Sequence, residues 1–241
     1  MNLVLDIGNN FFKLGIFQNS DLIYSHYDKN EKIKIEIEKI VSNYTEVSNA
    51  LISNVSSLEI SSLFNKYNIK NLELNSSFIF PFEIDYMTPE TLGNDRLALA
   101  AAATILYPNS NNLVIDAGTC ITIDFIDRYN KFRGGSISPG IKMRYDSLNN
   151  YTAKLPLLNS DNKFSFPGDS TNESIHAGVL GGACNEITGF INMINSRYET
   201  VNVILTGGDA KFLSKRLKIT IFANQNFILE GLNCILNLNK S

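Results

Sequence analysis

Residues 113–124 read Leu-Val-Ile-Asp-Ala-Gly-Thr-Cys-Ile-Thr-Ile-Asp. Three apolar residues run into Asp116, Ala117, Gly118 and Thr119, and the chain then alternates Ile121, Thr122, Ile123, Asp124. This pattern predicts a buried strand, a tight turn and a returning strand. Apart from Cys120 the turn has no bulky side chain, so backbone N–H groups can approach an anion closely. Asp116 at the tip would hold a cation that accompanies the anion. Taken alone, the same residues also describe an ordinary hairpin whose turn favours Asp and Gly.

The pattern occurs twice. Leu3 to Gly8, LVLDIG, aligns without a gap on LVIDAG: Leu3 with Leu113, Asp6 with Asp116, Gly8 with Gly118, Asn9 with Thr119. A repeat half a chain apart predicts two related halves, each presenting one acidic hairpin toward a cleft. Domains 1–110 and 111–241 are expected, with the boundary in Asn109 to Asn112.

Composition narrows the function. A chain of 241 residues suits one large domain or two moderate ones. A net charge of −3 argues against a nucleic-acid partner. Cys120, Cys184 and Cys234 are isolated, without metal-ligand spacing, which points to a reducing cytoplasm. The start MNLVLDIGNN lacks a basic segment and a cleavage site, and the longest apolar run, Leu97 to Leu106, is half a membrane span. No membrane association is expected.

In chain order, strands are expected at Asn2 to Leu5, Phe11 to Phe17 and Leu22 to Tyr27, and a helix over Lys29 to Tyr44, where Ile33, Ile37, Ile40 and Val41 keep helical spacing. A strand at Ala50 to Asn54, a helix at Ser57 to Tyr67 and a strand at Ile69 to Leu74 complete an α/β layout. Thr88 and Pro89 can open a helix, and Gly93-Asn94-Asp95-Arg96 either lies within it or interrupts it. The alanines from Ala98 to Ala103 suit a helix packed closely on its neighbours. After the second hairpin come a strand at Lys131 to Ser138, a helix opening after Pro139, a capping box at Ser170 to Glu173 and one long helix from Ser174 to Tyr198. His176, on that helix, reads as packed and not catalytic. Thr206-Gly207-Gly208-Asp209-Ala210 is a strand-to-helix turn of the kind that places ligands in open α/β sheets. A strand at Ile219 to Phe222 and a helix at Phe227 to Leu236 close the chain.

Together these segments resemble the type III pantothenate kinases of the actin-like ATPase superfamily. The resemblance rests on DIGNNFFKLGIF (Asp6 to Phe17), Tyr86 with Gly93 to Arg96, DAGTCIT (Asp116 to Thr122), GGSISPG (Gly134 to Gly140), Leu148 to Pro156, Thr171 to Gly178 and Thr206 to Ala210. It implies two actin-like (ribonuclease H-like) domains, each a mixed sheet flanked by helices. It also implies ATP-dependent phosphorylation of pantothenate, the first step of coenzyme A biosynthesis, by a homodimer using Mg2+ with ATP and a monovalent cation, K+ or NH4+.

By position, the resemblance gives the ATP phosphates to Asp6, Ile7, Gly8, Asn9, Asn10, Phe11, Phe12 and Lys13, and a further ATP contact to Thr119. It makes Asp95 the general base, lines the pantothenate site with Tyr86, Gly93, Asn94 and Arg96, gives the monovalent cation to Asp116, and brings Thr171 to pantothenate from across the site. Two positions depart from the family pattern: Asn10 stands where Thr is usual, and Cys120 where Ala is usual. Other readings are a different actin-like small-molecule kinase, a nucleotide-switched scaffold, or a non-catalytic regulator. Pantothenate-dependent ADP release separates them.

Overall fold

A computed structural model describes residues 1–160, 163–217, 222–223 and 226–240. The strands are β1 (Asn2–Ile7), β2 (Phe11–Gln18), β3 (Asp21–Lys29), β4 (Asn49–Asn54), β5 (Lys70–Glu73), β6 (Glu83–Ile84), β7 (Asn111–Ala117), β8 (Cys120–Ile126), β9 (Lys131–Pro139), β10 (Val201–Thr206) and β11 (Phe222–Ala223). The helices are α1 (Ile33–Asn43), α2 (Ser61–Asn65), α3 (Asn94–Leu106), α4 (Ile141–Asn150), α5 (Thr171–His176), α6 (Gly182–Asn195), α7 (Ala210–Ser214) and α8 (Phe227–Asn239). They form two compact units. One gathers Met1–Pro108, Asn130–Phe132 and Asn226–Ser241; the other gathers Asn109–Tyr129 and Arg133–Gln225.

The first unit carries a mixed sheet in the order β3-β2-β1-β4-β5. β1 is antiparallel to β2 and parallel to β4, with Asp6 opposite Ser53. Asn19 takes a φ of 58° in the two-residue turn between β2 and β3, a conformation that asparagine tolerates. Ile33, Ile37, Ile40 and Val41 of α1 are buried with Leu3, Leu5 and Leu14 of the sheet, as their spacing requires. The alanine helix α3 lies along α8, where Gly231 meets the Ala98 carbonyl so closely that no Cβ would fit.

The other sheet runs β11-β10-β7-β8-β9-β6. β7 is antiparallel to β8 and parallel to β10, with Asp116 opposite Thr206. The second hairpin therefore repeats the strand pairing of the first. Ile115, Ile121 and Leu205 pack with Val179, Leu180 and Ile187 in its core.

Several elements differ from expectation. The helix expected at Ser57 to Tyr67 is only α2, because Asn54 and Ser56 bind neighbouring backbone and one another and hold the preceding residues as a loop. Lys29 to Tyr44 opens with a 3-10 turn at Asn30–Lys32 before α1. The long helix expected from Ser174 begins earlier, at Thr171, where the Ser170 Oγ accepts the Glu173 N–H. It widens into a π-helical turn at Ala177–Gly181, within a run containing Gly178, Gly181 and Gly182, and ends at Asn195. Thr88 makes no side-chain cap; Pro89–Thr91 is a single 3-10 turn, and α3 starts afresh after Gly93. β6 was not expected from sequence, and residues 219–221 of the strand expected at Ile219 to Phe222 lie outside the described residues.

Candidate active site

The first hairpin presents the segment Asp6 to Lys13. Asp6 and Lys13 are cross-strand partners, and the Gly8 N–H donates to the Phe11 carbonyl at 2.9 Å to close the turn. The Ser53 hydroxyl on β4 donates to the Asp6 Oδ1 at 2.9 Å. Asn9 and Asn10 are exposed at the tip. Ile7 and Phe12 are fully buried, so these two can serve a ligand only through their backbone. Phe11 points outward and stacks on Tyr27, ring centroids 5.2 Å apart.

A second group of expected residues meets at the start of α3. Gly93 precedes the helix with extended backbone, and the Asp95 Oδ1 accepts the Arg96 N–H at 2.8 Å. That carboxylate occupies the space a side chain at 93 would need, which explains the glycine. Arg96 is buried at 5% exposure. Its guanidinium carbon lies 5.9 Å from the Tyr86 ring centre and 5.7 Å from that of Phe132, and the two rings pack edge to face at 6.0 Å. A planar cation placed by two aromatic rings is oriented as well as desolvated, which suits forked binding of a carboxylate. Phe132 reaches this cluster because β6 pairs with the start of β9, Ile84 opposite Phe132. No sequence signal marks that two-residue pairing.

The second hairpin bears Asp116, half-buried, and Thr119, exposed. Its turn is tighter, closed by the Gly118 N–H to the Cys120 carbonyl at 2.9 Å. Two glycine turns come against it. Gly140 sits on the Gly118 and Thr119 carbonyls, with its N–H donating to Thr119 at 3.0 Å. Gly207, at a φ of 95°, sits against Asp116 and Ala117, and the Asp209 N–H donates to the Ala117 carbonyl at 2.9 Å. Partial burial raises the Asp209 carboxyl above its ordinary pKa. The Asp116 carboxylate is itself a hard oxygen donor, of the type that suits an alkali or alkaline-earth cation. Among the described residues no group of three His, Cys, Asp or Glu side chains could hold a metal by itself. Thr171 is exposed at the first position of α5, and His176 is buried with its Nδ1 2.7 Å from the Tyr145 hydroxyl.

An acidic hairpin on each of two mixed sheets is the mark of the actin-like kinase fold. Solved structures agree on that fold: a Campylobacter jejuni protein of the Baf family superposes with a TM-score of 0.61 at 23% identity over 98% of both chains. A glucokinase from an Antarctic psychrotroph superposes at 0.55 and 12% identity over 100% of this chain and 99% of that one. The family model for type III pantothenate kinase matches residues 2–193. The type III pantothenate kinase of Flavobacterium johnsoniae is 48% identical over 97% of this chain and 96% of its own, and that of Flavobacterium psychrophilum 42% identical over the whole of both. The chain belongs to the type III pantothenate kinase family, and its reaction is the phosphorylation of pantothenate by ATP in coenzyme A biosynthesis.

Proposed function

We propose that the residues assigned by position carry out this reaction as follows. Asp6, Gly8, Asn9, Asn10 and Lys13 receive the ATP phosphates, with Ile7, Phe11 and Phe12 setting the backbone of the hairpin. Phosphoryl transfer needs positioning and charge neutralisation more than covalent chemistry. Mg2+ bound with ATP supplies charge neutralisation on the transferring phosphoryl group. Lys13 adds a fixed positive charge and the tip amides add donors. Thr119 makes a further ATP contact.

Asp95 accepts the proton of the pantothenate hydroxyl as general base. Arg96 pairs with the pantothenate carboxylate, Tyr86 holds the guanidinium in place, and Gly93 and Asn94 line the same site. The observation that carries this reading is the buried Arg96 guanidinium held between Tyr86 and Phe132, beside the Asp95 carboxylate. Asp116 holds a monovalent cation, K+ or NH4+, a role supported by its half-buried carboxylate beside the second hairpin turn. The same reading makes the enzyme a cytoplasmic homodimer in which Thr171 touches pantothenate. Its exposure supports that role. No helix among the described residues is long and apolar enough to cross a membrane.

A coupled ADP-release assay tests the assignment. Asp95→Asn should fold with a wild-type melting temperature and lose turnover by roughly a hundredfold to ten-thousandfold. A folded variant with a near wild-type rate would remove Asp95 as the base. In the same assay, wild-type activity should collapse in sodium or Tris buffer and return with potassium or ammonium. Equal rates in all four would end the monovalent-cation role of Asp116.

A further inference from the structure

Asn30, directly after β3, reaches the tip of the first hairpin with two hydrogen bonds. Its Nδ2 donates to the Gly8 carbonyl at 2.9 Å, and its backbone N–H donates to the Asn10 carbonyl at 3.0 Å. The Val55 N–H holds the Ile7 carbonyl at 3.0 Å. Three carbonyls in and beside the turn are thus drawn onto the unit's own donors. Among the described residues, the Asn9 and Asn10 amide N–H groups donate to nothing within the chain. A turn whose carbonyls are tied back and whose amides are left over is an anion receptor; free carbonyls at the same tip would repel a phosphate.

The Asn30 side chain has one further property. Its orientation is fixed, because a flipped amide would set oxygen against the Gly8 oxygen. The Oδ1 that results is buried and has no hydrogen-bond partner. A buried acceptor left without a donor is unfavourable and calls for a physical explanation. On the opposite side of the hairpin, Ser53 is fully buried and its hydroxyl restrains the Asp6 carboxylate.

We infer that Asn30 is a positioning residue for nucleotide binding. It holds the Gly8–Asn10 turn with its amides outward, and the cost of its unpartnered Oδ1 is borne for that placement. Ser53 restrains Asp6 in the same preformed site. This inference rests on the assignment of the first hairpin to the ATP phosphates.

The test compares Asn30→Ala and Asn30→Asp with wild type. The readouts are calorimetric binding of Mg2+–ATP without pantothenate, KM for each substrate, and the melting temperature. Losing one hydrogen bond of this kind should weaken Mg2+–ATP binding about three- to tenfold. KM for pantothenate and the melting temperature should stay close to wild type. Asn30→Asp keeps the shape but sets a carboxylate oxygen against the Gly8 carbonyl and near the phosphates, so it should bind Mg2+–ATP more weakly than Asn30→Ala. Unchanged Mg2+–ATP binding in folded Asn30→Ala overturns the inference. So does a parallel loss for both substrates that tracks a fall in melting temperature, which is the signature of a merely structural role. Asp6→Asn, measured alongside, separates the two levels. If Asp6→Asn binds Mg2+–ATP normally, the hairpin assignment itself fails. If it loses binding while both Asn30 variants retain it, only the role of Asn30 fails.

Discussion

At the scale of single residues, the carboxylate-binding role proposed for Arg96 bears most directly on substrate identity. Its guanidinium is buried and faces two aromatic rings, which fixes its plane. Lysine keeps the charge but loses the fork and the stacking. Arg96→Lys should therefore raise KM for pantothenate by about tenfold to a hundredfold, the loss expected for a charge-assisted hydrogen bond of roughly 1.5–3 kcal/mol. KM for ATP should change little. Pantothenol, which lacks the carboxylate, should be a poor acceptor for wild type and lose little more on mutation, so the four measurements close a double cycle. Equal damage to both acceptors would make Arg96 structural and give the carboxylate to another group. Phe132 belongs to the same cluster, yet it lies 36 positions along the chain from Arg96 and enters only through the β6–β9 pairing.

At the scale of elements, the close approach of α3 and α8 carries a direct consequence. The alanine run of α3 removes side-chain bulk on one helix, and Gly231 removes it on the other, against the Ala98 carbonyl and the Ala102 N–H. Helices this close depend on backbone contact, and an added methyl must push them apart. Gly231→Ala would gain helix propensity at an exposed site, but here overpacking should cost about 1–3 kcal/mol. Thermal unfolding followed by circular dichroism should show a clear fall in melting temperature. A rise would mean that the helices separate freely and that the contact is loose. The alanine run signalled a close neighbour in sequence, while nothing in the sequence said which helix that neighbour is.

At the scale of the whole molecule, the chain's last helix returns to its first unit. α8 packs on α3 and β1, and Phe227, Leu232, Ile235 and Leu236 are fully buried. Polar contacts reinforce this: the Asn2 Nδ2 donates to the Asn233 Oδ1 at 2.7 Å and the Asn237 Oδ1 at 3.0 Å, and the Asn233 Nδ2 donates to the Asn19 carbonyl at 2.9 Å. A chain ending at residue 225 would expose the faces of α3 and β1 that α8 covers and leave Asn2 without these partners. Such a chain should be recovered as aggregate, or as a species whose first unit is cut by protease far faster than in wild type. A soluble truncated chain with the wild-type melting temperature and protease resistance would contradict this account.

Sequence alone determined the repeated hairpin, the α/β layout, the helical face of α1, the cap at Ser170 and the family. Each is a local signal: a period, a turn composition or a short motif, written in consecutive residues. The Gly93 to Arg96 segment was recognised for the same reason, being contiguous, but the start of α3 was not: the helix was expected to open at Thr88, and α3 begins only after Gly93. Tertiary structure decided what consecutive residues cannot encode. Ser53 meets Asp6 through the register of two parallel strands 47 residues apart. Asn30 meets Gly8 across β2 and β3, Gly207 meets Asp116 across a parallel pairing, and α8 closes on β1 across nearly the whole chain. Parallel pairing and helix docking join segments far apart in sequence. Their partners are chosen by which apolar faces can be buried together, a choice made only when the chain folds.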